Sequence, residues 1–304
     1  MRRSGERVPP VSGMAAWVMA IRPRTLPAAA APVVVGTAIA ASHGVAAPLP
    51  ALAAMAGALL IQIATNLAND YFDFRKGSDT EDRVGPTRVV QAGLLAPGAV
   101  LAGTVVTLLL ATLVGLYLVW VGGAVILLIG LASLLCAVAY TGGPFPLAYH
   151  GLGDLFVFVF FGLVAVGGTY WVQALAFEVE LLTAGAGVGA LVTAILVVNN
   201  LRDIPTDRAA GKRTLAVRIG VRGSRWQYLL LVAMAAAAPA LGMVWHGWTP
   251  WVLLAVPGVA YAYRPAARVL RFHDPRELNP ALGETASVVA WYSGLLALGF
   301  LLGG

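Results

Sequence analysis

NLANDYFDFRKGSD, residues 66–79, stands at the end of a long apolar run in this 304-residue chain. Its side chains Asn66, Asn69, Asp70 and Asp73 fall within roughly a 100° arc of an α-helix, so they form one polar stripe. Carboxylates at the end of a membrane-spanning helix cost free energy unless they meet a cation or a water-filled cavity. The segment therefore predicts an apolar helix that ends in a site for a positively charged group.

The composition around this segment is that of a membrane protein. Hydrophobic residues make up 59% of the chain and charged residues 11%, whereas about 25% are charged in an ordinary soluble domain. A membrane-spanning helix needs about 20 largely apolar residues. The apolar runs predict an all-α polytopic membrane protein with nine transmembrane helices, at 26–44, 51–69, 99–120, 122–140, 153–174, 181–200, 227–245, 249–265 and 284–302.

The positions of the basic residues test this count. With the amino terminus in the cytoplasm, all 20 Lys and Arg residues fall in cytoplasmic segments, as the positive-inside rule expects. The carboxyl terminus then lies outside, and the basic charge is explained by orientation and contact with the lipid bilayer, without a nucleic-acid partner. We expect one intramembrane domain over 1–304, with a cytoplasmic or interfacial leader at 1–25 and cytoplasmic motif loops at 70–98 and 202–226. The sequence is silent on oligomeric state.

A second acidic segment, NNLRDIPTDRAAGKRT at 199–214, follows another apolar run. Asn199, Asp203 and Asp207 share roughly an 80° arc if the helix continues, although Pro205 disfavours that continuation. Two acidic clusters repel each other unless positive charge lies between them. Either neighbouring basic side chains pair with the carboxylates at the membrane surface, namely Arg75, Lys76, Arg208 and Arg213, or a divalent cation does.

Carboxylate and amide oxygens on one face favour the cation. Mg²⁺ suits one or two carboxylates together with retained waters and phosphate oxygens, and the candidate metal ligands are Asn66, Asp70, Asp73, Asn199, Asp203 and Asp207. Nearby basic residues would weaken a site for a metal alone, so they indicate an anion beside it. We therefore expect a Mg²⁺-bound diphosphate with an apolar tail, held further by Asn69, Arg75, Lys76, Arg208 and Lys212.

A third candidate segment is YTGGPFPLAYHGLGD at 140–154, which carries neither Lys nor Arg. The aromatic faces of Tyr140 and Tyr149 can stabilise the allylic cation left when a prenyl diphosphate ionises, although packing at the interface explains them as well. His150 is a candidate base. Asp154 either orients an acceptor hydroxyl or simply begins a helix, where the dipole favours a carboxylate.

The paired acidic motifs resemble those of the UbiA-type intramembrane prenyltransferases, a nine-helix superfamily that attaches prenyl chains to aromatic acceptors with Mg²⁺. Together with RPRTLP at 22–27 and the segment 140–154, they are most similar to the polyprenyltransferases that act on 1,4-dihydroxy-2-naphthoate in menaquinone synthesis. This resemblance implies polyprenyl diphosphate and an aromatic acceptor as substrates, with loss of CO₂ and diphosphate. It also implies a bacterial cell membrane location, with the active site toward the cytoplasm. The catalytic residues it implies are Asp70, Asp73, Tyr140, Asp203 and Asp207.

Two other functions stay open at this point. Prenyltransferases for 4-hydroxybenzoate, homogentisate or haem would keep both acidic motifs and differ in the acceptor. A cation- or proton-coupled transporter would also place carboxylates in the membrane, but it predicts acidic groups near mid-span and inverted repeats. Here both clusters lie at the inner boundary.

Overall fold

The structure is a computed structural model that describes residues 12–77 and 84–304. Every regular element in these two ranges is helical, so the predicted all-α fold is confirmed. Some residues used in the sequence analysis lie outside the described ranges: Arg2, Arg3, Arg7, Asp79 and Arg83.

The helices follow one another with short connections. The α-helices are α1 Gly13–Ile21, α2 Leu26–Ser42, α3 Pro48–Arg75, α4 Pro97–Ala139, α5 Gly153–Phe158, α6 Ala165–Ala174, α7 Glu180–Arg202, α8 Ile204–Ala209, α9 Leu215–His246, α10 Ala255–Ala260, α11 Tyr263–Arg271 and α12 Asn279–Gly303. A π-helical segment, Val159–Val164, joins α5 to α6, and 3₁₀ turns lie at Pro23–Thr25, Leu147–His150, Pro250–Leu254 and Pro275–Leu278.

Seven helical stretches of the described chain are long and apolar enough to cross a membrane, which marks a multi-pass membrane protein. The predicted count of nine is not confirmed, for two local reasons. Helix α4 has 43 residues, about 65 Å and roughly twice the apolar thickness of a bilayer, yet it contains Gly123 with non-helical φ 66° and ψ −153°. The predicted span 249–265 is divided among a 3₁₀ turn, α10 and the start of α11, each of them short.

Helix α7 is the centre of the bundle. In its most apolar window 72% of the residues are buried within the protein, against 17% in α4, which faces outward. Glycines allow the π-helical segment to pack directly on α7, because a Cβ added to Gly162 would lie 2.5 Å from the carbonyl oxygen of Gly185. The carboxyl end of α7, which carries the second acidic segment, is therefore fixed by close packing.

Both acidic segments begin within helices. Helix α3 continues to Arg75, so Asp70 and Asp73 lie on the helix itself and not in a loop that starts at residue 70. Helix α7 ends at Arg202, Asp203 leaves helical geometry with φ −91° and ψ 6°, and α8 starts directly after it. Pro205 lies in the first turn of α8, where a missing N–H costs no helical hydrogen bond.

The described part of the predicted leader has a helix of its own. Arg22 adopts a left-handed conformation with φ 56° and separates α1 from the 3₁₀ turn that precedes α2. The amide of Asn66 stabilises this break, since its Nδ2 donates to the carbonyl of Ile21 at 2.8 Å and to Oγ1 of Thr25 at 2.9 Å. The break directs Arg22 and Arg24 into the wall of the cavity described below.

Candidate active site

One large cavity joins the two acidic segments, with a volume of about 910 Å³. Its polar end lies where α3 and α7 end, and it is lined there by Asn69, Asp73, Asn199, Asp203, Asp207 and Lys212. The rest of the wall is mainly apolar and includes Ile61, Leu116 and Phe160. The shape suits a ligand with a charged head and a hydrocarbon tail.

Asp73 is the meeting point of three chain segments. Its Oδ1 accepts hydrogen bonds from the hydroxyl of Tyr149 at 3.0 Å and from Nζ of Lys212 at 3.1 Å. Its Oδ2 lies 3.4 Å from Nη2 of Arg88. Asp70, one helical turn earlier, is 1% exposed and accepts a hydrogen bond from the backbone N–H of Val89 at 3.2 Å. The first acidic cluster is thus bound to the segment after it in sequence as well as to distant loops.

Asp203 is paired with its chain neighbour. Arg202, which is 0% exposed, donates from Nε and Nη2 to the two oxygens of Asp203, both at 2.7 Å. The same guanidinium reaches Oδ1 of Asn199 at 2.9 Å and Oδ1 of Asn279 at 3.2 Å. Arg202 therefore fixes the second cluster and links it to the start of α12.

Tyr149 lies close to two ammonium groups. Nζ of Lys76 and Nζ of Lys212 are each 4.7 Å from the centre of its ring, a distance suited to cation–π attraction. Lys76 also donates to the carbonyl of Thr141 at 2.6 Å. Desolvation by burial lowers the pKa of Lys76, the carboxylate of Asp73 opposes that shift, and the nearby Lys212 adds to it. An additional anion at this position would relieve the repulsion between the two lysines.

The two asparagines of the first acidic segment differ in their position relative to the cavity. Asn69 lines the cavity, and its Oδ1 accepts from Oγ1 of Thr141 at 2.7 Å. Asn66 is 4% exposed and is not part of the cavity wall. Its amide nitrogen donates to the chain break between α1 and α2, and its amide oxygen accepts from Gln62 at 3.5 Å. Asp70 is likewise outside the wall.

The segment 140–154 contributes to the site unevenly. Tyr140 lines the cavity, and Gly153 makes room for it, since a Cβ there would lie 2.9 Å from the Tyr140 hydroxyl. Asp154 is 7% exposed and accepts from Gln227 at 2.9 Å, outside the cavity wall. His150 lies on the far side of the loop, with Nδ1 2.8 Å from the carbonyl of Pro146.

Three predicted phosphate ligands stay at the surface. Arg75 and Lys76 at the end of α3 and Arg208 at the end of α8 are exposed, and none of them lines the large cavity. Among the predicted basic residues, Lys212 alone belongs to that wall within the described ranges.

The segment 84–89 covers the acidic residues, and its role was missed by the sequence analysis. Asn279 donates to the carbonyl of Val84 at 3.0 Å, and Gly85 lies so close to Arg202 that an added Cβ would be 2.5 Å from its Nη2. Arg88 and Val89 then contact Asp73 and Asp70, as described above. The sequence analysis counted Arg88 and Arg202 among the orientation charges, although Arg202 is adjacent to Asp203 and Arg88 follows Asp73 by 15 residues.

Of the two alternatives left open by the sequence, the structure shows pairing with basic side chains, through Arg88, Arg202 and Lys212. Within the described ranges no three His, Cys, Asp or Glu side chains cluster as an all-protein metal site. The carboxylate and amide oxygens that line the polar end are of the kind that binds Mg²⁺ together with waters and phosphate oxygens. A metal ion and a diphosphate that bind together would bring opposite charges and so change the charge balance of the paired acids little.

Comparison with known proteins identifies the family. The model of the UbiA prenyltransferase family matches residues 29–302. The chain is 42% identical to the 1,4-dihydroxy-2-naphthoate octaprenyltransferase of Mycobacterium tuberculosis, across 96% of this chain and 100% of that protein. It is 38% identical to the Escherichia coli protein of the same name, across 96% and 97%.

A solved structure shows the same fold. The UbiA homolog from Archaeoglobus fulgidus bound to DMAPP and Mg²⁺ superposes with a TM-score of 0.64 and 13% identity, over 93% of this chain and 99% of that chain. The resemblance drawn from the motifs is therefore confirmed. The chain belongs to the UbiA prenyltransferase family.

Proposed function

We propose that the protein transfers a polyprenyl group from polyprenyl diphosphate to 1,4-dihydroxy-2-naphthoate, with Mg²⁺, at the cytoplasmic side of a bacterial cell membrane. The observation that carries the proposal is the 910 Å³ cavity, whose polar end is lined by Asp73, Asp203, Asp207 and Lys212 and whose remaining wall is mainly apolar. The two relatives named above, each matched over nearly its full length, support the choice of acceptor.

The reaction breaks the allylic C–O bond of the polyprenyl diphosphate and forms a C–C bond to the ring carbon that bears the carboxylate. Loss of CO₂ returns its bonding electrons to the ring, so the products are diphosphate, CO₂ and demethylmenaquinol, the reduced form of demethylmenaquinone. When bound, Mg²⁺ stabilises the negative charge that develops on the leaving diphosphate.

The chain's own residues have distinct parts in this chemistry. Asn69, Asp73, Asn199, Asp203 and Asp207 supply the oxygens at the polar end that would hold the metal. Lys212 binds the phosphate oxygens and stabilises their charge as the C–O bond breaks. Tyr140 lies against the reacting carbon, where its ring stabilises the allylic cation, and the apolar wall excludes water from that cation.

We also propose that the chain crosses the membrane nine times. If α4 is divided at Gly123 and residues 250–271 are taken as one segmented crossing, the seven long stretches become nine. The described basic residues then fall on the side where α3 and α7 end, which supports a cytoplasmic position for the polar end of the cavity. A cysteine scan with a membrane-impermeant thiol reagent, in a Cys136→Ser background, tests this topology.

The activity is tested with purified protein in detergent, a radiolabelled prenyl diphosphate, Mg²⁺ and a panel of aromatic acids. We expect diphosphate and CO₂ release with 1,4-dihydroxy-2-naphthoate, and not with 4-hydroxybenzoate or homogentisate. Removal of divalent metal should stop the reaction, and added Mg²⁺ should restore it. Turnover with a different acid of the panel would reassign the acceptor, and metal-independent turnover would refute the role given to the oxygen ligands. Asp203→Ala, tested for membrane insertion in parallel, should be inactive.

The transporter alternative is not supported by any feature of the cavity. Its carboxylates gather at one end, and a transport pathway would need such groups near the middle of the membrane.

A further inference from the structure

A second cavity lies on the other side of the 147–150 turn from the large one. We call it the basic pocket; it measures about 510 Å³, and its cationic and aromatic lining is Lys76, Tyr149, His150, Arg213 and Arg218. Its remaining lining residues are glycines and prolines, so its wall contains no carboxylate. A basic cavity without acidic residues selects for anions.

The two cavities share a thin wall. Ala148 and Lys212 line the large cavity, whereas their chain neighbours Tyr149 and Arg213 line the basic pocket. The two strips of wall are joined by a backbone hydrogen bond from Arg213 N–H to the carbonyl of Tyr149 at 3.0 Å. An anion that leaves Lys212 on one side therefore has only this wall between it and a second set of cations.

Tyr149 lies close to both sets of cations. Its ring centre is 4.7 Å from Nζ of Lys212, which lines the large cavity, and 4.7 Å from Nζ of Lys76, which lines the basic pocket. A hydrogen bond from its hydroxyl to Asp73, at 3.0 Å, helps to orient the ring. One side chain thus contacts the cations of both cavities.

Two groups of the basic pocket, Arg218 and His150, are oriented by hydrogen bonds to backbone carbonyls. The exposed Arg218 donates from Nε to the carbonyl of Arg213 at 3.1 Å and from Nη2 to the carbonyl of His150 at 2.9 Å. The carbonyl of Pro146, 2.8 Å from Nδ1 of His150, can only accept, so that nitrogen carries a proton and Nε2 remains for a ligand. No hydrogen bond links the Arg213 guanidinium to another described residue, so it can turn toward an anion.

We propose that the basic pocket binds the inorganic diphosphate released by the reaction, as its exit site toward the cytoplasm. The inference rests on the proposed transfer reaction, whose isoprenoid product can leave into lipid while its diphosphate must reach water. A small polyanion matches Lys76, His150, Arg213 and Arg218 in a pocket whose lining has no carboxylate. A prenyl diphosphate presents the same headgroup, and the experiment below distinguishes the two.

Binding of inorganic diphosphate to purified protein in neutral detergent tests the proposal. The titration is done calorimetrically after removal of metal ions, because the acid-lined end of the large cavity needs Mg²⁺ to hold a diphosphate and the basic pocket does not. We expect one equivalent to bind to the wild-type protein, and Arg213→Gln to weaken this binding about tenfold or more, the loss of one charge-assisted hydrogen bond. Arg218→Gln should weaken it at least as much.

The matched control is Arg222→Gln, since Arg222 is exposed on α9 and lines neither cavity. It should leave metal-free binding unchanged. Arg213→Lys, which keeps the charge, should recover most of the affinity lost in Arg213→Gln and so exclude a folding defect. Geranyl diphosphate should bind no more tightly than inorganic diphosphate without metal.

Three results would overturn the assignment: no metal-free binding of diphosphate, equal binding by Arg213→Gln and wild-type protein, or much tighter metal-free binding of geranyl diphosphate. The last would make the basic pocket a site for the incoming headgroup. None of these results depends on turnover, so a failure here is separable from a failure of the proposed transfer activity.

Discussion

Arg202 offers the sharpest test of how this site is built. It is 0% exposed, and its guanidinium forms a bidentate pair with Asp203 at 2.7 Å on both oxygens. In Arg202→Gln the carboxylate of Asp203, whose side chain is 10% exposed, keeps its charge and loses this partner. Breaking a buried pair from one side costs about 3–5 kcal/mol, largely because the remaining charge is stranded. We therefore expect a large loss of thermal stability from Arg202→Gln alone.

We expect the midpoints of thermal unfolding of the variants to follow a particular order. Arg202→Gln should lower the midpoint of thermal unfolding most, Asp203→Asn less, and the double variant less than the sum of the two, because it strands no charge. Tryptophan fluorescence of the detergent-solubilised protein measures all four midpoints, and Arg222→Gln is the surface control. Strictly additive shifts, or a midpoint for Arg202→Gln equal to that of the wild-type protein, would show that this pair does not stabilise the site.

Lys212, Tyr149 and Gly162 carry three further predictions. Lys212→Ala should raise the KM for prenyl diphosphate about tenfold or more through loss of a charge-assisted contact, whereas Arg208→Ala, exposed at the end of α8, should not; equal effects would contradict the assignment. Tyr149→Phe keeps the ring and removes the bond to Asp73, so kcat should change by about tenfold at most, and a total loss of activity would indicate a direct chemical role. Gly162→Ala should destabilise the bundle by about 1–3 kcal/mol through overpacking, measured as a lower unfolding midpoint; an unchanged midpoint would show that the helices can separate freely.

The sequence predicts the fold in outline because hydrophobicity and charge act over whole segments. The helical class and the polar stripe of Asp70 and Asp73 follow from composition and helical periodicity alone. Helix continuity is less accessible: Gly123 interrupts α4 only through its positive φ, which the surrounding apolar run conceals. The segmented path of residues 250–271 is hidden in the same way.

The sequence did not reveal which basic residue pairs with each carboxylate of the site. Arg75 and Arg208 stand within two residues of Asp73 and Asp207, yet both are exposed. Arg88 reaches Asp73 from a loop 15 residues away in sequence, and Lys212 reaches it across 139 residues. Such pairs depend on tertiary packing, and local spacing does not encode it. Arg202, adjacent to Asp203, was the one pair that spacing could have revealed.

The contacts of Asp73 explain how a site so rich in charge can exist before its ligand arrives. One oxygen accepts from both Tyr149 and Lys212, which come from two different loops, so the polar end is held together by groups that include the proposed headgroup ligand Lys212. A diphosphate that draws Lys212 toward itself removes a positive partner from Asp73 and leaves that carboxylate oxygen available to a divalent cation. Metal and diphosphate would then bind with positive coupling, since each favours the arrangement that the other needs. The affinity for Mg²⁺ should therefore be weak in the free protein and rise when a prenyl diphosphate is present, and Lys212→Ala should abolish that difference.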